Sequence, residues 1–120
     1  MATIEVKGLD KPDDTRAFPN GIAEVVRVGS TTVGRAKLEP GWRWSNDVKP
    51  IAGTDSCMIL HKGYCVSGRI HVVMNDGTEA DVGPGDAYHI EPGHDAWVVG
   101  DEDYVAVDFS EQIAEYAKPS

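Results

Sequence analysis

No stretch of this chain approaches the run of roughly 20 apolar residues that a membrane-spanning helix requires, although hydrophobic residues fill 41% of its 120 positions. Basic residues are scarce. Eleven Lys and Arg stand against twenty Asp and Glu, a formal net charge of -9. Such a field repels nucleic acid phosphates and anionic lipid surfaces, so neither nucleic acid nor membrane is expected as a partner. Only two cysteines occur, Cys57 and Cys65, too few for a disulfide framework and suited to a reducing compartment. A bridge between the two stays open as the alternative. The opening residues, Met1-Ala2-Thr3-Ile4-Glu5-Val6-Lys7, lack the basic-then-apolar order of a secretion signal, and the expected address is cytoplasmic. Also missing are a Ser-His-Asp ordering, a phosphate-cradling glycine loop and any nucleic acid motif.

What the chain does have is punctuation. Turn signals recur at short spacing, as expected of many short strands. Gly29-Ser30 separates Ala23–Val28 from Thr31–Leu38, and Glu39-Pro40-Gly41 closes the second of these. Trp42 and Trp44 alternate, which places both rings on one face of a strand. Lys49 to Thr54 reads as an irregular loop. Further on, Ile70, Val72 and Met74 share a strand face, with His71 on the opposite, solvent side. Asn75-Asp76-Gly77 is a hairpin turn, because Asp-Gly accepts the positive φ that tight hairpins need. Gly83-Pro84-Gly85 and Glu91-Pro92-Gly93 are further turns, and strands follow at Ala96–Val99 and Tyr104–Phe109. Ser110 is placed to cap a short helix over about 110–118, where Ile113, Tyr116 and Ala117 recur at helical spacing. No linker, repeat or low-complexity segment interrupts the chain, so one all-β domain over residues 1–120 is expected, a sandwich, jelly roll or barrel.

Two stretches carry a family resemblance. His61-Lys62-Gly63-Tyr64-Cys65-Val66-Ser67-Gly68 is similar to the second half of the first cupin motif, with His61 where the motif has Glu and the motif spacing kept to Gly68. Gly85-Asp86-Ala87-Tyr88-His89-Ile90-Glu91-Pro92-Gly93-His94 resembles the second motif, which runs from Gly-Asp through Pro-x-Gly or Pro-Pro-Gly to a His. The resemblance covers about the last two thirds of the chain, with core motifs over 41–109. It implies a cupin double-stranded β-helix, or jelly-roll barrel, with a short C-terminal helix. It points to a group of small single-domain cupins whose roles are mostly unassigned, and it suggests a homodimer.

The standard metal ligands are replaced. Asp55 and Cys57 stand where the motif-one histidines belong, and Ala96 where the motif-two histidine belongs. A substitute set is at hand. Residues two apart on a strand face the same way, so His94 shares a face with Ala96, and Asp55 with Cys57. Cys57, His61 and His94 would offer one thiolate and two imidazoles, a set that favours zinc over magnesium or calcium and leaves a fourth position open. Asp55, Tyr64, Tyr88 and Trp44 are the expected pocket residues.

Plainer readings accompany each choice. Cys57 fits a small buried hydrophobe, His61 a satisfied core histidine, and His94 an exposed loop residue. His89 reads as a surface residue. Tyr64, Tyr88, Trp42 and Trp44 also fit core or dimer contacts, and Glu79, Asp81 and Asp101-Glu102-Asp103 fit solvated turns and strand faces. Two functional classes therefore stand: a barrel binding a transition metal and a small organic ligand, which extends to metal-dependent catalysis, or a non-catalytic module for ligand binding or dimerisation without metal.

Overall fold

The computed structural model describes residues 2–119. Among these, β1 (Asp14–Phe18), β2 (Gly21–Val28) and β3 (Thr31–Leu38) form an antiparallel meander. The chain then makes two short helical turns, α1 (Trp44–Asp47) and α2 (Lys49–Ala52). Six strands follow: β4 (His61–Ser67), β5 (Ile70–Met74), β6 (Glu79–Val82), β7 (Ala87–Ile90), β8 (His94–Val98) and β9 (Tyr104–Asp108). They assemble into a six-stranded sheet of order β1-β2-β3-β9-β4-β7 and a three-stranded sheet of order β6-β5-β8, with every pairing antiparallel. The expected two-layer β architecture is present.

Strand alternation fills the space between the sheets. β8 and β9 both show strict in-and-out burial along their length, so Ala96, Val98, Tyr104 and Ala106 join Ile70, Val72 and Leu38 in one apolar cluster. Trp42 and Trp44 are both buried in it, at 3% and 2% exposure. The strand expected to carry the two tryptophans is not there. Arg43 makes a single bridge to Trp97, and Trp44 already begins α1. Asp47 enforces the turn, because its Oδ2 accepts from the Arg43 backbone N–H at 3.0 Å. Lys49 to Ala52 is likewise a helical turn rather than an irregular loop, with Pro50 in its first turn where a missing N–H costs nothing. The C-terminal element is a 3-10 turn over Glu111–Glu115, shorter than the helix expected, and Ser110 caps it by accepting from the Gln112 N–H at 3.2 Å. Its Ile113 seats on β3 where Gly34 has no side chain to obstruct it.

Gly68 turns the chain between β4 and β5 and has φ +74°, a left-handed conformation that L side chains rarely adopt. A Cβ there would also strike the Asp103 carbonyl. Gly68→Ala therefore carries a backbone and a steric penalty together, and should destabilise the fold by about 2 kcal/mol or more, read as a lowered urea midpoint.

Candidate metal centre

Cys57 lies outside any strand, yet its position is fixed by backbone hydrogen bonds. Its N–H donates to the His94 carbonyl at 2.7 Å, and the Gly93 N–H donates to the Cys57 carbonyl at 2.7 Å. That bridge sets the thiol beside the first residue of β8. His61 opens β4 and faces inward with Gly63 and Cys65. The Cys57 Sγ is 3.7 Å from His61 Nε2, and the His61 and His94 rings meet edge-on with centroids 5.4 Å apart. One ligand atom from each of Cys57, His61 and His94 lies within 4.8 Å of the others. Ligands bound tetrahedrally to zinc at ~2.0–2.3 Å stand ~3.3–3.8 Å apart, and the Cys57–His61 pair already has that spacing.

Both rings are oriented by their other nitrogen. His94 Nδ1 donates to the Glu91 carbonyl at 2.8 Å, which makes Nε2 the nitrogen that faces the other two side chains. His61 Nδ1 meets Asp108 Oδ2 at 2.8 Å. Asp108, only 4% exposed, also accepts from the Ser110 N–H at 2.9 Å and the Lys62 N–H at 3.4 Å. A carboxylate behind a ligating imidazole is the usual outer partner of a metal-bound histidine. Burial opposes charge on the Cys57 thiol, but the hydrogen bonds from His61 and His94 outweigh it and bring its pKa down to about 6. Burial likewise opposes the His61 imidazolium, and Asp108 and Cys57 outweigh it, raising that pKa to about 9. The donor sulfur is thus held as thiolate near neutral pH, the form that ligates metal.

The three side chains border an internal cavity of about 60 Å³ whose walls are mainly apolar. Trp44 and Tyr88 are among the residues that line it. Burial pushes the Tyr88, Tyr104 and Tyr116 phenols upward, so all three remain protonated donors. Two expected pocket residues are not there. Tyr64 is 48% exposed, because it sits three residues from His61 and strand alternation turns it to the outer face. Asp55 is exposed in a bend, where the two-residue parity with Cys57 has no strand to act through. Asp108 and Tyr116 also line the cavity, although neither lies in the two motif stretches. Alternation along β9 carries the signal for Asp108, since it shares a face with Tyr104 and Ala106.

The other two histidines lie outside this centre. His89 is exposed on β7, the parity opposite Tyr88 and Ile90. His71 sits on the outer face of β5, with Nδ1 at 2.5 Å from Asp81 Oδ1, Nε2 at 3.1 Å from Glu79 Oε1, and its ring beside Trp97. Its two nitrogens point to different carboxylates, so they converge on no common atom. Glu79 and Asp81 are exposed strand residues as expected, but they also clamp this imidazole.

Neither a protein-family model nor a curated protein sequence matches the chain. Solved structures do. A cupin 2 conserved barrel domain protein from Salinispora arenicola superposes with TM-score 0.60 at 17% identity, over 95% of this chain and 95% of that one. A protein of unknown function from Rhizobium leguminosarum gives 0.57 at 18%, over 76% and 80%. A cupin-2 domain from Rhodospirillum rubrum gives 0.54 at 16%, over 91% and 69%. The fold is the cupin jelly roll, and its neighbours are small cupin-2 barrels, several of them without assigned function.

The His71 clamp makes a prediction. The Asp81 hydrogen bond is the chief cause of a raised His71 pKa. A raised folded pKa stabilises fully below the ordinary histidine value near ~6.5 and fades as pH climbs through the folded value. Asp81→Asn should return the His71 titration, followed by NMR, toward its ordinary value. The stability gap from wild type should be wider at pH 6 than at pH 9.

Proposed function

We propose that this protein is a metal-binding cupin in which Cys57, His61 and His94 hold a transition metal, zinc favoured, and present its open position to a small organic molecule in the cavity. The observation that carries this reading is the orientation of the two imidazoles. Each spends its Nδ1 on a fixed acceptor, Asp108 or the Glu91 carbonyl, so each offers Nε2 toward the thiolate. A sulfur and two nitrogens suit zinc and other late first-row ions, whereas magnesium and calcium need oxygen ligands. When bound, such an ion supplies Lewis acidity toward a carbonyl or carboxylate oxygen. Cys57 and His61 supply the anchoring, and His61 gives up its second proton on binding, so uptake of metal releases acid. A reducing cytoplasm suits the reading, because the buried thiol must stay reduced to ligate.

A non-catalytic module without metal is the rival. It is favoured by the thiol, His61 and Asp108 forming a connected hydrogen-bonded chain of their own.

Two measurements separate the readings. Protein purified without chelator should carry about one equivalent of transition metal, and Cys57→Ala or His94→Ala should remove it while leaving the barrel folded. Cobalt in place of zinc should show a thiolate charge-transfer band that Cys57→Ser abolishes. Metal-free protein that takes up neither ion on titration establishes the rival. Asp108→Asn, which keeps the shape but weakens the orientation of His61, should cost about 10–100-fold in zinc affinity by competition with a chelating dye.

A further inference from the structure

The two sheets have four edges, and three of them are covered or guarded. β8 is covered on its free side by the Cys57–His94 and Arg43–Trp97 bridges. β1 carries Asp14 and Arg16, and the Arg16 guanidinium donates to the Ala114 carbonyl in the C-terminal segment. β6 carries Glu79 and Asp81. β7, Ala87-Tyr88-His89-Ile90, has no carboxylate, no Lys or Arg and no Pro, the residues that usually keep an edge from pairing.

The phase of the hydrogen bonds shows which backbone groups that edge presents. The Lys62 carbonyl accepts from the Phe109 N–H, and the Lys62 N–H donates to Asp108, both on the β9 side of β4. His89, opposite Lys62 in the β4–β7 ladder, therefore turns its own N–H and C=O away from β4, and Ala87 does the same two residues earlier. β6 follows the same rule. The Met74 N–H donates to the Thr78 carbonyl and the Asn75 N–H to the Gly93 carbonyl, so Ala80 and Val82 bond to β5 while Glu79 and Asp81 turn their backbone groups outward.

β6 and β7 leave the Gly83–Asp86 turn into different sheets and do not pair with each other, so both edges border one groove. Its floor includes Met74, Val82, Tyr88 and Ile90. Its rim carries Asp76, Glu79, Asp81, Asp86 and Glu91, and no Lys or Arg. His71, clamped by Glu79 and Asp81, and His89, 3.8 Å from Glu91, leave that balance negative even when both are protonated. Such a rim turns away a second copy of a chain whose net charge is -9 and favours a cationic occupant. Strand alternation sets the rest: side chains turned inward meet the apolar floor, and those turned outward meet the carboxylates.

We propose that this groove docks an extended basic segment of a partner protein, which adds to β7 as a further strand of the larger sheet and sets its cationic side chains against the acidic rim. The site is separate from the metal centre and does not depend on it.

The test uses the full chain and an end-blocked hexapeptide of alternating lysine and valine, labelled for fluorescence anisotropy. The peptide should bind one to one, and the Ala87 and His89 amides should gain protection from hydrogen exchange. A hexapeptide of alternating glutamate and valine should bind about tenfold more weakly or not at all. The lysine peptide N-methylated at every amide keeps its charge but donates to no edge, and should lose about tenfold or more, the worth of two ladder bonds. His89→Pro removes a groove-facing N–H and no bond to β4, so it should keep the urea midpoint and lose about three- to tenfold in affinity. Equal affinity for the N-methylated peptide reduces the contact to charge alone and overturns the proposal, as does the absence of saturable binding. A peptide-free chain that sediments as a dimer with Ala87 and His89 already protected puts a second copy on β7 and overturns it too.

Discussion

The centre depends on a pair of backbone hydrogen bonds between a loop and a strand. Cys57 donates to His94 and accepts from Gly93, both at 2.7 Å, and no other regular structure holds residues 53–60 between α2 and β4. Side chains on a free loop sample many rotamers, and the entropy of gathering them works against any shared site. Here the loop borrows the rigidity of β8. Cys57 becomes a near neighbour of His94 by register, and the inward parity of β4 brings His61 to the same place.

Asp108 ties that geometry to the rest of the molecule. A buried carboxylate is tolerable only when it is paired and hydrogen-bonded, and this one accepts from His61 and from the backbone of Lys62 and Ser110. The Ser110 side chain then caps the final 3-10 turn, which places Ile113 against β3 and leads to Tyr116 beside the His61 ring, with centroids 5.6 Å apart. Tyr116 also meets Phe18 from β1 edge-on. One carboxylate thus orients the His61 imidazole, anchors the C-terminal segment and closes one side of the cavity. Disturbing the tail therefore disturbs the imidazole.

Much of this was legible in the residues. Turn chemistry marked β2, β3, β5 and β9, since Gly29-Ser30 and Asp76-Gly77 act locally and need no tertiary information. The three convergent side chains were also legible, because they occupy or flank motif positions. What escaped required knowledge of register. Asp108 contacts His61 across 47 residues, a relation set by the β4–β9 pairing. Tyr64 lies outside the cavity for a local reason: with His61 facing inward, a residue three positions on faces outward. Asp55 lies outside it for the opposite reason, since its segment forms no strand along which alternation could act. β1 went unseen because Asp14-Thr15-Arg16 is polar, and its strand state comes from pairing with β2 at a sheet edge.

Strand parity also explains how the inward imidazole can stand away from the position that the motif resemblance gives it. The resemblance assigns the motif-two histidine to Ala96, and the imidazole stands two residues earlier, at His94. Both are buried on the same face of β8, at 6% and 3% exposure. A ligand displaced by one residue would leave the cavity, whereas one displaced by two remains inside and moves only along the barrel wall. The rest of a set can follow only if another segment supplies a donor at the new height, and the Cys57–His94 bridge supplies it here. Inward parity, together with a fixed acceptor behind each imidazole, is what brings Cys57, His61 and His94 together here.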